Sequence, residues 1–275
     1  MIEPLAARLR ALAVSDVALV AGGMLSALPL AAAPYVVNGR QSCLLDEFTV
    51  SSAPSARLLA HARQNLNIDP GEGRSLLAVG NPLPLPEGFE PLEGAEAEVK
   101  EIAVRFGGRV VSLCGLQATY ANVTSGLPGA THLHFACHGV FASANPLFSS
   151  LVLAGGEPLT LGSVLFEVDV RGVRLVVLSA CETAVVDLEN LPEEAVGFPS
   201  GFLQAGVAGV VATLWPVDDV ATRRLMSRFY EFLFQRDASG DPAPMRPAMA
   251  LRQAQRSLRS RDPIDWAGFV FHGAS

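Results

Sequence analysis

VRLVVLSACE, residues 173–182, decides how this chain is read. Apart from Arg174, residues 173–178 are apolar without alternation. A strand with one wet face alternates apolar and polar side chains, whereas a strand buried on both faces has no need to. The run then breaks at Ser179-Ala180-Cys181. Working outward, the same kind of run recurs as SLLAVG (75–80), RVVSL (109–113), THLHFAC (131–137), SLVLAG (150–155) and VAGVVATLW (207–215). Between these runs the spacing turns helical. In GAEAEVKEIAVRFGG (94–108), Val99, Ile102, Ala103 and Phe106 fall on one face and Gly107-Gly108 is a stop signal. Further helices are expected at 117–123, at 159–166 (opened by Thr160 or the Pro158 turn), and at about 193–205, 218–235 and 244–259. Strands and helices that alternate in this way predict an α/β fold, with a mainly parallel sheet covered by helices on both faces.

The first fifty residues read as short strands joined by turns. VSSAPSARLLAHAR (50–63) then ends a strand and opens a helix, with Ser51, Ser52 or Ser55 as its cap. No composition shift marks a boundary, so residues 1–275 are expected to form one domain, with 1–50 as its strand-rich N-terminal part. DLENLPEEA (187–195) and QRDASGDPAP (235–244) read as exposed loops.

Half of the 275 residues are apolar, enough for a large core. The formal net charge is −7 with no dense Lys/Arg run, which argues against nucleic acid as a partner. The four cysteines, Cys43, Cys114, Cys137 and Cys181, include no CxxC pair, and so many apolar residues leave little need for disulfides. Val17 to Gly39 carries no charge, long enough to cross a bilayer, yet Gly22-Gly23, Pro29 and Pro34 break it into strand-sized blocks. A cytoplasmic protein without membrane contact is expected.

In a parallel sheet, ligands bind beyond the carboxyl ends of the strands. THLHFAC is followed there by His138, and RLVVLSA by Cys181. A thiol and an imidazole on one sheet edge supply what cysteine nucleophilic catalysis needs: the imidazole takes the thiol proton and returns it to the leaving group. The bland readings are a small buried cysteine and a hydrogen-bonded packing histidine. His132 and His134 alternate with Leu133 and Phe135 inside the strand and read as structural. A metal site from Cys137, His138 and Cys181 lacks ligand spacing. No P-loop and no dinucleotide fingerprint is present, and no cofactor is expected.

HLHFACHGVF (132–141), NPLFSSLVLAGGEPLTL (145–161), VVLSACETA (176–184), FLQAGVAGVVATLWPVDD (202–219) and FYEFL (229–233) resemble the CHAT domain family of caspase-like cysteine peptidases, which is related to separases and caspases. The resemblance runs from about residue 46 to 273. It implies a caspase-like three-layer sandwich with a six-stranded, mainly parallel sheet. It implies His138 and Cys181 as the catalytic pair, and the backbone N–H groups of Gly139 and Cys181 as the oxyanion hole. Glu182 and Thr183 follow the cysteine where caspases carry Arg or Gln and then Gly, so nothing points to cleavage after Asp. LWPVDDVAT (214–222) resembles the separase segment whose aspartate meets a basic P1 side chain. Asp218 and Asp219, together with Glu182, are therefore candidate substrate-binding residues, with helix capping as the alternative for either aspartate. The family further implies a partner bearing tetratricopeptide repeats, a role in bacterial antiviral defence or signalling, and a protein substrate, gasdermin-like or another defence protein. Two other readings stay open: a catalytically silent interaction module, and a hydrolase of other acyl bonds.

Overall fold

The computed structural model describes residues 2–67, 73–179, 197–237 and 239–275. Eight strands form the central sheet: β1 (Asp16–Leu19), β2 (Thr49–Ser52), β3 (Ser75–Pro82), β4 (Arg109–Gly115), β5 (His132–Ala136), β6 (Leu175–Leu178), β7 (Gly209–Thr213) and β8 (Phe269–Gly273). Their order is β1-β2-β8-β7-β6-β5-β3-β4. From β4 to β7 every neighbouring pair is parallel. β8 lies antiparallel to β7, whereas β2 is parallel to β8 and β1 to β2. The sheet is thus two parallel blocks of opposite direction, joined at β7–β8.

Among the described residues, eight strands stand where six were expected. The two nearest the N-terminus, β1 and β2, extend the sheet beyond β8. The expectation for residues 1–50 also needs correcting in part. Ile2–Ala11 is a helix, α1, which packs Ile2 and Ala6 into the core. Met24 and its neighbours form a 3-10 turn, Gly23–Ala27, and not a strand, while Tyr35–Val37 pairs with Arg40–Ser42 in a separate hairpin. Ser150–Leu151 is a two-residue strand of a small antiparallel sheet with Gly139–Val140 and Leu159–Thr160.

The remaining helices used below are α2 (Ala56–Asn65), α3 (Ala95–Arg105), α4 (Tyr120–Gly126), α5 (Leu161–Phe166), α6 (Phe198–Gln204), α7 (Asp219–Leu233) and α8 (Pro247–Ser257). Several begin on a side-chain cap. Ser55 accepts from the Leu58 amide, Thr119 from Asn122 and Thr160 from Ser163, each satisfying an amide that the first turn leaves unpaired.

Two cores explain why the strand sequences do not alternate. In β3, Leu76 and Ala78 face α1, α3, α7 and α8, while Leu77 and Val79 face α2, α4, α5 and α6. In β6, Leu175 and Val177 take the first side and Val176 and Leu178 the second. With both faces dry, every position favours an apolar side chain, each worth roughly 1.5–3 kcal/mol on burial. Among the described residues, no helix is long and apolar enough to cross a membrane.

Candidate active site

β5 and β6 are adjacent and parallel, with His132 opposite Leu175 and Phe135 opposite Leu178. Their carboxyl ends therefore open side by side on one edge. His138 follows the end of β5, and Ser179 is the last described residue after β6. Cys181 and Glu182 lie outside the described residues, as does the expected loop at 187–195.

His138 is held by the segment that follows β3. Asn81, near the end of that strand, has a φ of 45°, in the left-handed region that Asn tolerates better than most residues. Its Oδ1 accepts a hydrogen bond from the Leu92 amide at 2.9 Å, which ties down the intervening loop. That loop presents Phe89, whose ring lies 5.0 Å from the His138 ring, and the Glu90 carbonyl, 2.7 Å from His138 Nε2. A carbonyl oxygen only accepts. Nε2 therefore carries the hydrogen, and the neutral imidazole keeps its lone pair on Nδ1, ready to take a proton.

The two aspartates divide the roles that the sequence left open. Asp218 caps α7, its Oδ1 accepting from the amides of Val220 at 3.0 Å and Ala221 at 3.2 Å. Asp219 Oδ2 accepts from the Gly94 amide at 2.7 Å, just before α3 begins. Asp219, not Asp218, lines the small cleft of about 70 Å³ that His138 borders, together with Leu92, Ser179, Thr213 and Val217. Ser179 was not singled out from sequence. Its Oγ is buried without a hydrogen-bond partner among the described residues. An orphaned hydroxyl in a cleft marks a place for a ligand or water, and its position two residues before Cys181 is the signal that would have found it.

The other cysteine and histidines beside the site are fixed in packing. Cys137 borders the same cleft but packs in the second core, where burial pushes its thiol up to about 12, far from a thiolate at neutral pH. His134 is fully buried. Its Nε2 lies 2.9 Å from Glu98 Oε1 on α3, and its Nδ1 is 3.2 Å from the Tyr230 hydroxyl on α7. His132 packs edge-on against Phe106 and Phe234. Among the described residues, no group of three or more His, Cys, Asp or Glu is placed to hold a metal ion.

A largely parallel sheet of this kind, with helices on both faces, is shared with caspase-like cysteine proteases. The Arg-specific cysteine proteinase gingipain R of Porphyromonas gingivalis superposes with a TM-score of 0.55 at 11% identity, over 83% of this chain and 54% of that one. The separase of the Saccharomyces cerevisiae separase–securin complex gives 0.58 at 12% identity, over 84% of this chain and 14% of that one. The sequence is more specific than the fold. Residues 1–274 match the model of the CHAT domain, and the chain belongs to that family. Tetratricopeptide repeat protein 28 of Mus musculus is 27% identical over 279 aligned positions, and its Homo sapiens counterpart is 25% identical. Each match covers 84% of this chain, which spans only 11% of the length of those relatives.

Proposed function

We propose that the chain is a single cysteine endopeptidase domain in which Cys181 is the nucleophile and His138 the base. The observation that carries this reading is the adjacency of β5 and β6, which sends the His138 segment and the segment leading to Cys181 out of the same sheet edge. His138 Nδ1 takes the thiol proton. The thiolate attacks the peptide carbonyl, and the oxyanion is met by the N–H groups of Gly139 and Cys181. The imidazolium then protonates the leaving amine. The acyl-enzyme that remains is hydrolysed by water, with His138 again accepting a proton.

Asp219 and the Ser179 hydroxyl, both lining the cleft, suit a P1 pocket for Arg or Lys. A carboxylate pairs with a guanidinium or ammonium through charge-assisted hydrogen bonds. The Arg specificity of gingipain R, a protein of similar fold, is consistent with this choice. Asp218, spent on its helix cap, leaves the pocket to Asp219, with Glu182 as a flanking contact. The relatives' tetratricopeptide repeats support control by a repeat-bearing segment or partner. A gasdermin-like or other defence protein is the first substrate to offer.

The test is to incubate the wild type and Cys181→Ala with candidate protein substrates, with and without a repeat-bearing partner, and to map new termini. Cleavage lost in Cys181→Ala supports the reading. Equal cleavage by both removes Cys181 from the mechanism, and no cleavage by either assigns the chain to the silent interaction modules.

A further inference from the structure

At the opposite edge of the sheet lies a pocket that the proposed chemistry does not use. It has a volume of about 480 Å³, and its lining includes Arg74, His132, Arg174, Leu233, Phe234 and Met245. That volume is within the range of small-molecule sites. His132 and His138 share one strand and its exit, six residues apart, so the pocket stands about 20 Å from the candidate cleft. A ligand here does not compete with a peptide there, and the inference stands whether or not Cys181 is a nucleophile.

The chemistry of the walls selects the ligand. Leu233, Phe234 and Met245 supply apolar surface. The Arg74 guanidinium lies 5.6 Å from the centroid of the Phe234 ring, so one cation sits against the apolar wall. Among the described residues, no carboxylate pairs with Arg74. Arg174, which donates to the Leu66 carbonyl, lines the same space. Burial first, and then the charges of Arg74 and Arg174, hold the His132 imidazole down to about 3. The ring is therefore uncharged at neutral pH, with its Nδ1 engaged by Thr131 Oγ1 at 2.8 Å. His132 also packs 5.7 Å from Phe234, so the polar and apolar walls meet at an edge-on ring contact inclined at 62°.

We infer that this pocket binds a small amphipathic anion, a carboxylate or phosphate on an apolar body, with Arg74 holding the charged head and Phe234 and Met245 the tail. A guanidinium reads either head through paired N–H donors, and a head without charge forfeits that pairing.

The experiment titrates the full chain by calorimetry with octanoate, octyl phosphate, 1-octanol and acetate. The inference expects one-site binding of octanoate or octyl phosphate, the tighter of the two naming the head group. It expects 1-octanol to bind at least about tenfold more weakly, the loss of one charged hydrogen bond, and acetate to give no heat. Arg74→Met, which keeps an apolar stem, should weaken the anion at least about tenfold at an unchanged melting temperature. Met245→Glu, which sets a carboxylate on the half-buried tail wall, should weaken the anion likewise. Equal affinity for octanoate and 1-octanol, unchanged affinity in both variants, or no binding of either anion overturns the inference.

Discussion

Asp219 Oδ2 accepts the amide hydrogen of Gly94 at 2.7 Å, so the first residue of α7 holds the residue that opens α3, 125 positions away in sequence. One carboxylate thereby fixes two helix starts and still lines the cleft beside His138. Seven residues further along α3, Glu101 pairs with Arg223 of α7, a second tie between the same helices.

Replacing Asp219 by Asn separates the two duties. The amide oxygen still accepts from Gly94, but the charge is gone. For peptides with P1 Arg or Lys, kcat/KM should fall about 10- to 100-fold, the worth of one charged hydrogen bond, with little change in thermal stability. Gly94→Ala attacks the same contact sterically. A Cβ there would stand 2.5 Å from Asp219 Oδ2, so the carboxylate must move. The same loss of basic preference should come with a cost of about 1–3 kcal/mol. A fluorogenic peptide panel that keeps its Arg preference in both variants rules Asp219 out of the pocket.

Asn81 sets the loop that carries Glu90 to His138. Asn81→Gly keeps the left-handed backbone and loses only the bond to the Leu92 amide, a cost of about 1 kcal/mol. Asn81→Ala loses both, adding roughly 1–2 kcal/mol of conformational strain. Both variants should lower kcat several-fold with little change in KM, because the imidazole is less firmly held. Denaturant unfolding and steady-state kinetics separate the two effects.

Glu98, His134 and Tyr230 form a buried polar group linking α3, β5 and α7. Removing one partner strands the others without water. Glu98→Ala is expected to cost about 3–5 kcal/mol in denaturant unfolding, whereas Glu98→Met with His134→Phe and Tyr230→Phe should recover most of it. Additive losses in the triple variant would show that the three side chains do not depend on one another.

Burial pushes the His272 imidazole down to about 4 from its ordinary 6.5. Between those values the unfolded chain binds a proton that the folded chain refuses, so stability falls as pH drops from 6.5 to 4 and then levels off. The expected loss from this group is about 3 kcal/mol. His132, held near 3, adds a parallel loss over the same range and carries it to lower pH. Unfolding free energies measured from pH 7.5 to 4 should show the summed slope, and His272→Gln should roughly halve it.

The parallel block was legible because burial on both faces leaves its mark in each strand: Leu175 to Leu178 could hardly be read otherwise. The end of β5 was equally plain, with His138 immediately beyond an apolar run. What escaped was set by distant partners. Short strands were legible in the N-terminal part, but nothing local in Thr49–Ser52 announces that it pairs with a strand ending at residue 273, and so the membership of β1 and β2 in the main sheet and the reversal at β8 were invisible. The Glu90 carbonyl that meets His138 is backbone, which carries no residue type to recognise. The split between Asp218 and Asp219 depended on where α7 begins, a matter of one residue. The placement of Cys181 and Glu182 is the part of the site on which only sequence speaks.

The position of β8 has a consequence in time. It lies between β2 and β7 and pairs with β2 through His272 and Ser52. Strands made among residues 16–52 are thus joined to the main sheet by a strand far later in the sequence. A chain leaving the ribosome must keep Thr49–Ser52 waiting, unpaired on that side, until Phe269–Gly273 has emerged. The widest sequence separations in the sheet are closed last, and such pairings are slow to form. The sheet therefore closes only once Phe269–Gly273 is available to pair, with an open strand edge as its hazard until then.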